Sequence, residues 1–164
     1  MDQEKWRRDI IVDYIVSQGI SLTDIDVSMA RGGLITPIRT GVYEVTQEMR
    51  DALTAAKEGA HACNLSALIA DDIAVMVNEA RSVNGIESRC RAFIADPPMA
   101  DEMLPEVKVG GLPEFPRRTL FHALNSRAMV RRYARNVGKT NKDVTVIVAH
   151  LGGGSSVSLH RHGL

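Results

Sequence analysis

A run of three glycines near the end of the chain is the sharpest local signal in the sequence. Consecutive glycines let backbone N–H groups point into one concavity, which suits an anion such as phosphate. The run has neither the Lys-Ser/Thr ending of a Walker A loop nor the helix that follows a dinucleotide fingerprint. A phosphate loop and a simple hairpin turn therefore remain equally open at this point. The run is Gly152, Gly153 and Gly154, followed by the hydroxyl donors Ser155 and Ser156.

Two histidines are candidates for binding such an anion. His150 ends an apolar run immediately before the glycines, and ligands of α/β sheets gather at the carboxyl ends of strands. His122 stands at the start of a predicted helix, where an imidazole can face a cleft. On spacing alone, a capping or half-buried histidine is the simpler interpretation of His122.

An acid and an arginine complete the candidate groups. Asp96 ends a short predicted strand, where its carboxylate can orient a nucleophile, hold Mg²⁺ through water, or cap the next turn. Arg31 precedes two glycines and suits bidentate capture of a carboxylate or phosphate, although a solvated surface arginine has the same pattern.

Helices and strands alternate around these groups, which predicts an α/β layer architecture. Apolar residues at helical spacing predict a first helix that begins near Trp6 and stops at Gly19. A second predicted helix is capped by Thr46 and runs to about Lys57, and a third, long helix with one apolar stripe is capped by Asn64. Strands are predicted at 25–29, 91–96 and 144–149, the last covered on both faces, with 157–160 returning as a hairpin. An arginine-rich helix spans about 121–137 and ends at Gly138; its arginines are predicted to form one solvated face.

The composition of the chain argues against several classes of partner. The chain has 164 residues, Lys+Arg 20 against Asp+Glu 20, and a hydrophobic fraction of 45%. Zero net charge and few aromatic side chains argue against a nucleic-acid partner, and the sequence shows no membrane-spanning run. Cys63 and Cys90 lie far apart without metal-ligand spacing, so reduced thiols in a cytoplasmic protein are expected.

An ordered set of short motifs covers nearly the whole chain and resembles butyrate kinase and its branched-chain relatives. These enzymes belong to the acetate and sugar kinase, heat-shock-70 and actin superfamily. The resembling stretches are Ala30-Arg31-Gly32-Gly33-Leu34, Gly59-Ala60-His61-Ala62-Cys63-Asn64-Leu65, Ala95-Asp96-Pro97, Phe121-His122-Ala123-Leu124-Asn125 and Ala149-His150-Leu151-Gly152-Gly153-Gly154.

The resemblance implies transfer of the ATP γ-phosphoryl to the carboxylate of a short fatty acid, with Mg²⁺, giving an acyl phosphate and ADP. It implies that His122 donates to the phosphoryl oxygens and that Asp96 orients the acceptor or the metal. It further implies that Arg31 binds the carboxylate and that His150, the three glycines and Ser155 form a phosphate loop.

The same resemblance implies a partial actin-like, ribonuclease H-like fold that is incomplete at both ends. Residues 1–97 would come from the first kinase domain, 98–120 would be a hinge, and 121–164 would begin the second domain. We therefore expect little turnover from the chain alone, and unpaired strand edges predict self-association into homo-oligomers. The competing hypothesis is a catalytically inactive remnant or interaction module of this fold.

Overall fold

The computed structural model describes residues 2–163, which form two compact units. The first unit contains the residues up to Thr36 together with 41–95. The second contains 37–40 and the residues from Asp96 onward.

The first unit is a small mixed sheet with helices packed against it. Its strands are β1 (Val27–Ala30), β2 (Val42–Glu44) and β3 (Arg91–Ala95), in the order β1-β3-β2. β1 runs parallel to β3 and β2 antiparallel, so Ile94 pairs with both Ala30 and Tyr43. The helices are α1 (Gln3–Ser17), α2 (Gln47–Thr54) and α3 (Asn64–Val83).

Local chemistry explains most of these boundaries. Gly19 has a φ of +75° just beyond α1, as its predicted role as a left-handed stop requires. The Thr46 hydroxyl accepts from the Met49 N–H and caps α2, which confirms that prediction, although the helix ends at Thr54 rather than near Lys57.

The predicted cap of α3 is wrong. Asn64 is the first helical residue, and Cys63 occupies the N-cap position without a side-chain hydrogen bond. The Asn64 amide serves the preceding loops instead: its Oδ1 accepts from the Leu34 N–H at 2.9 Å, and its Nδ2 donates to the Gly59 carbonyl at 3.0 Å. The Asn64 amide, which the sequence pattern predicts to cap α3, thus makes tertiary hydrogen bonds to the preceding loops instead.

The apolar stripe of α3 forms the core of the first unit. Val77 and Ala67 are completely buried on this helix, and the buried Cys90, immediately before β3, packs in the same core as Val77. Arg81, in the last turn of α3, is buried; its guanidinium donates to the Thr23 and Ile25 carbonyls and also pairs with the exposed carboxylate of Asp26.

Gly33 lies where two segments approach too closely for any side chain. A Cβ at this position would come 2.6 Å from Cα of Asn64 and 2.6 Å from Cδ2 of Leu53. The close approach expected from the Arg31-Gly32-Gly33 sequence is therefore present, and it fixes this loop against the start of α3.

The second unit packs one helix against a β-hairpin. Its elements are α4 (Ala123–Asn136), β4 (Thr145–Leu151) and β5 (Ser155–Arg161), preceded by a short 3-10 helix at Pro105–Lys108. β4 and β5 pair antiparallel around the three glycines, with Leu151 opposite Ser155. Val130 and Ala134 of α4 pack with Val144, Val146 and Val148 to make the core.

The opposite face of the hairpin is exposed, so the prediction that the 144–149 strand is covered on both faces is wrong for this chain. Alternation turns every second side chain of each strand away from α4. The outer face carries four apolar side chains that are 64–76% exposed: Ile147, Leu151, Val157 and Leu159. Across residues 2–163, no helix combines the length and the apolarity needed to cross a bilayer.

The Gly33 contact predicts a sharp response to one added methyl group. Gly33→Ala should lower the free energy of unfolding by about 1–3 kcal/mol, because the backbone of Asn64 cannot move away from an added Cβ. Gly111→Ala is the matched control, since a Cβ there meets nothing within 4 Å. Urea unfolding followed by circular dichroism measures both; equal stabilities would contradict the packing described for Gly33.

The exposed hairpin face predicts concentration-dependent self-association. Ile147→Lys combined with Leu159→Glu should shift the chain toward the monomer in size-exclusion chromatography, because the pair replaces apolar contact area with charge. Val83→Lys is the control, because Val83 is exposed at the end of α3 in the other unit. A wild-type chain that is monomeric at all concentrations would contradict the prediction.

Candidate functional site

Two stacked imidazole rings form the centre of the candidate site. His122 is the N-cap residue of α4, and His150 is the penultimate residue of β4. Their ring centroids are 3.7 Å apart and their planes are inclined by 7°. Both residues are half-buried, so each ring has one protected part and one accessible part.

Hydrogen bonds hold each ring at its Nδ1 atom. Nδ1 of His122 lies 2.9 Å from the Ser156 hydroxyl oxygen, and Nδ1 of His150 lies 3.0 Å from the Asn125 amide nitrogen. The His122 side chain makes no hydrogen bond that caps α4, so the capping interpretation is wrong and the half-buried one is correct.

The three glycines lie beside the Nε2 atoms of this pair. A Cβ at Gly152 would be 3.7 Å from Nε2 of His150, and one at Gly154 would be 3.8 Å from Nε2 of His122. The run is therefore a hairpin turn by connectivity, and it also places flexible backbone against two imidazole edges. Imidazole N–H groups beside a glycine turn are suited to contact an anionic oxygen.

The two serines after the glycines face opposite sides of the hairpin. Ser156 is the register partner of His150 and shares its inner face, whereas Ser155 is opposite Leu151 and exposed. Ser156 is therefore the serine that contacts the histidine pair. The role predicted for Ser155, as part of a phosphate loop, stays a prediction.

Asp96 forms a separate charged cluster in the same unit. It follows β3 directly, has a φ of +42°, and is only 7% exposed. Nε of Arg127 and a terminal nitrogen of Arg131 both lie 3.3 Å from its Oδ2 atom. The arginines of α4 are predicted to form one solvated face; this is wrong for Arg127, whose side chain is only 21% exposed, whereas Arg131 is 51% exposed and reaches the buried carboxylate from the solvent side.

The described residues offer no donor set for a metal ion. In residues 2–163 no group of three or more His, Cys, Asp or Glu side chains is placed to hold an ion. Two guanidinium groups beside the Asp96 carboxylate also oppose a further cation electrostatically. These residues do not fit a metal site held by the protein, so the role of Asp96 in holding Mg²⁺ stays a prediction.

Arg31 is the one candidate that lies in the first unit. It is half-buried and precedes Gly32, whose carbonyl accepts from the Ser66 hydroxyl at 2.9 Å. Burial raises the pKa of the nearby Cys63 thiol, and the positive charge of Arg31 acts in the opposite direction. Cys63 and Cys90 are both free thiols, as the sequence predicted.

Sequence reasoning named Ser156 only as a hydroxyl donor of the turn, and it missed three side chains of the two clusters, Asn125, Arg127 and Arg131. Asn125 follows His122 by three residues, so helical spacing places it on the same side of α4, and this signal was available in the sequence. The contact of Ser156 with His122, and those of Arg127 and Arg131 with Asp96, join residues about 30 positions apart in the chain. Spacing carries no information about such contacts.

Comparison with a solved structure defines the class of protein to which the fold belongs. The chain superposes on the acetate kinase of Porphyromonas gingivalis with a TM-score of 0.63 and 21% identity, covering 94% of this chain and 40% of that one. The predicted fold class, mixed α/β with part of the actin-like kinase fold, is thereby confirmed.

Sequence comparison identifies the more specific relatives. Butyrate kinase 1 of Clostridium acetobutylicum is 38% identical over 162 residues, and the probable butyrate kinase of Phocaeicola vulgatus is 43% identical over 163. Each alignment covers 99% of this chain and 42% of the relative. The chain is thus a homologue of the butyrate kinases that spans about two fifths of their length, which confirms the resemblance drawn from the motifs. No family model matches the chain.

The Asp96 cluster predicts separable effects of charge and backbone conformation. Asp96→Asn should lower the free energy of unfolding by about 1–3 kcal/mol, because two arginines lose a buried partner while asparagine tolerates positive φ. Asp96→Ala should cost about 1 kcal/mol more, from left-handed backbone strain.

The control for this prediction is Asp26→Asn. Asp26 also pairs with an arginine, Arg81, but its side chain is 94% exposed, so its loss should cost less than about 1 kcal/mol. Urea unfolding of all three variants gives the comparison. Equal losses at Asp96 and Asp26 would contradict the structural role assigned to the buried cluster.

Proposed function

We propose that this chain carries the phosphoryl-handling part of a butyrate-kinase-like carboxylate kinase. The reaction is transfer of the ATP γ-phosphoryl to a short-chain carboxylate such as butyrate, which yields butanoyl phosphate and ADP. The observation that carries the proposal is the His122–His150 stack beside the glycine turn, in a chain homologous to butyrate kinases.

The histidine pair would act through its N–H groups. Phosphoryl transfer requires little covalent chemistry from the protein and depends on positioning and on stabilising charge at the transferred group. His122 would donate to the phosphoryl oxygens as negative charge develops there. His150 and residues 152–154 would hold the neighbouring phosphate oxygens.

The remaining predicted residues have supporting roles in this proposal. Arg31 would bind the substrate carboxylate through its guanidinium group. Asp96 would orient the acceptor side of the site through Arg127 and Arg131, the two side chains that it contacts. Mg²⁺, when bound with ATP, neutralises phosphate charge, and it would arrive with the nucleotide.

The proposal also includes a domain organisation, self-association and a cellular location. Residues 1–97 would belong to the first kinase domain, 98–120 to a hinge, and 121–164 to the start of the second domain. Self-association through the exposed hairpin face and a cytoplasmic location, where ATP is the phosphoryl donor, are parts of the same proposal.

A second candidate function is a non-catalytic module of this fold that binds without turnover. The observation that favours it is the exposed hairpin face with its four apolar side chains, which suits binding to another protein surface. Under this alternative the same histidine pair would bind an anion, and no acyl phosphate would form.

A chimeric enzyme tests the kinase proposal. This chain replaces the matching segment of the Clostridium acetobutylicum butyrate kinase 1, and acyl phosphate is trapped with hydroxylamine in the presence of butyrate, ATP and Mg²⁺. The chimera should be active, and the isolated chain should show little or no turnover. His122→Ala in the chimera should lower kcat by about 100-fold or more, the usual effect of losing one donor to a transition-state oxyanion.

The matched control is His162→Asn in the same chimera. His162 is exposed, has a φ of +54° that asparagine tolerates, and lies outside the histidine stack, so activity should be unchanged. A folded chimera without activity, or one in which His122→Ala has no effect, would refute the kinase assignment and favour the non-catalytic module.

A further inference from the structure

The contact between Asn125 and His150 fixes the position of one imidazole proton. Nδ2 of Asn125 lies 3.0 Å from Nδ1 of His150. An amide nitrogen can only donate, so Nδ1 must accept the hydrogen bond. A neutral imidazole carries a single N–H, and His150 therefore carries its proton on Nε2.

The contact between Ser156 and His122 is compatible with the same tautomer. The His122 main-chain N–H donates to the Ser156 hydroxyl oxygen at 3.4 Å, and the same oxygen lies 2.9 Å from Nδ1 of the His122 ring. A hydroxyl has one proton and rotates to suit its partners. The Ser156 oxygen can accept from the backbone while its own proton is donated to Nδ1, and we infer this arrangement, which places the imidazole proton of His122 on Nε2 as in His150.

Both Nε2 atoms lie against the same three-residue turn. Nε2 of His150 is near the position of Gly152 and Nε2 of His122 is near that of Gly154, 3.7 and 3.8 Å from where the respective Cβ would stand. The two Nδ1 hydrogen bonds thus set the proton on the ring edge that faces the glycines. Neither ring could rotate by half a turn without losing its partner.

We propose that Asn125 and Ser156 are positioning residues which, by hydrogen-bonding Nδ1 of His150 and His122, hold two Nε2–H donors at the glycine turn for a phosphate-type anion. The identity of the anion rests on the proposed function, whereas the orientation and tautomer of the rings do not.

Each histidine is hydrogen-bonded by a residue from the other side of the helix–hairpin packing. Asn125 on α4 holds the strand histidine, and Ser156 on β5 holds the helix histidine. Each ring is therefore oriented by the element on which it does not reside. Correct docking of α4 on the hairpin then aligns both donors at once.

Nitrogen-15 spectra of the histidine side chains in the 164-residue chain test this inference without requiring turnover. Spectra are recorded well above the ordinary histidine pKa of about 6.5, so that neutral tautomers are observed. The wild-type chain should show His122 and His150 protonated on Nε2, with Nδ1 accepting a hydrogen bond. Single histidine substitutions assign the signals.

Asn125→Asp gives the sharpest expected change. The aspartate carboxylate can only accept, so the His150 proton should move to Nδ1 and leave Nε2 without a proton, while His122 keeps its tautomer. Asn125 is exposed, so this near-isosteric variant should fold.

Ser156→Ala should change the Nδ1 signal of His122 alone, because its hydrogen-bond donor is lost. Ser156→Thr retains a hydroxyl and should restore the wild-type signal. His61 is an internal reference: its Nδ1 accepts from the Cys63 main-chain N–H, and its signals should be the same in every variant.

Several results would overturn the inference. These are a proton on Nδ1 of either histidine in the wild-type chain, the tautomer mixture of a free imidazole, or no response of His150 to Asn125→Asp. Tripolyphosphate titration into the same samples tests the anion separately: Ser156→Ala should weaken its binding about fivefold in the otherwise wild-type chain and should have no additional effect in the His122→Ala background. Fixed tautomers without tripolyphosphate binding would refute the proposed function and leave the positioning roles intact.

Discussion

The stacking of His122 on His150 is the contact on which the arrangement of the candidate site depends. One ring begins α4 and the other ends β4, so the stack exists only when the helix is docked on the hairpin. That docking is achieved away from the rings by aliphatic packing of Val130 and Ala134 against β4. Burial of the apolar core stabilises this docking. The docking in turn holds the two imidazoles in fixed positions as a pair of hydrogen-bond donors.

The buried carboxylate of the second unit and its arginine partners form a cluster separate from the histidine pair. The buried carboxylate of Asp96 takes two guanidinium groups from successive turns of α4 and sits in a left-handed backbone conformation after β3. A buried ion pair of this kind fixes geometry more than it adds stability, because desolvation offsets the attraction between its charges. The cluster ties the middle of α4 to the chain that enters the unit, and the first turn of the helix remains for the histidines.

Uncovered apolar surface is the other consequence of this architecture. The hairpin buries one face against α4 and leaves Ile147 and Leu159 exposed on the other. The homologous butyrate kinases are more than twice as long as this chain, and the acetate kinase fold extends well beyond the matched region.

The sequence alone determined features that depend on near neighbours. The Thr46 cap, the Gly19 stop, the hairpin around the glycines and the kinase resemblance all follow from local pattern or motif order. Local pattern failed at Asn64, whose amide bonds a distant loop instead of capping α3.

Only the tertiary structure decided which side chains meet across the chain. Strand alternation about the turn selected Ser156 rather than Ser155 for the histidines, and helix docking took Arg127 from the predicted solvated face to Asp96. These contacts depend on register and on relative placement, which pair residues far apart in the chain. Spacing along a sequence carries no record of either.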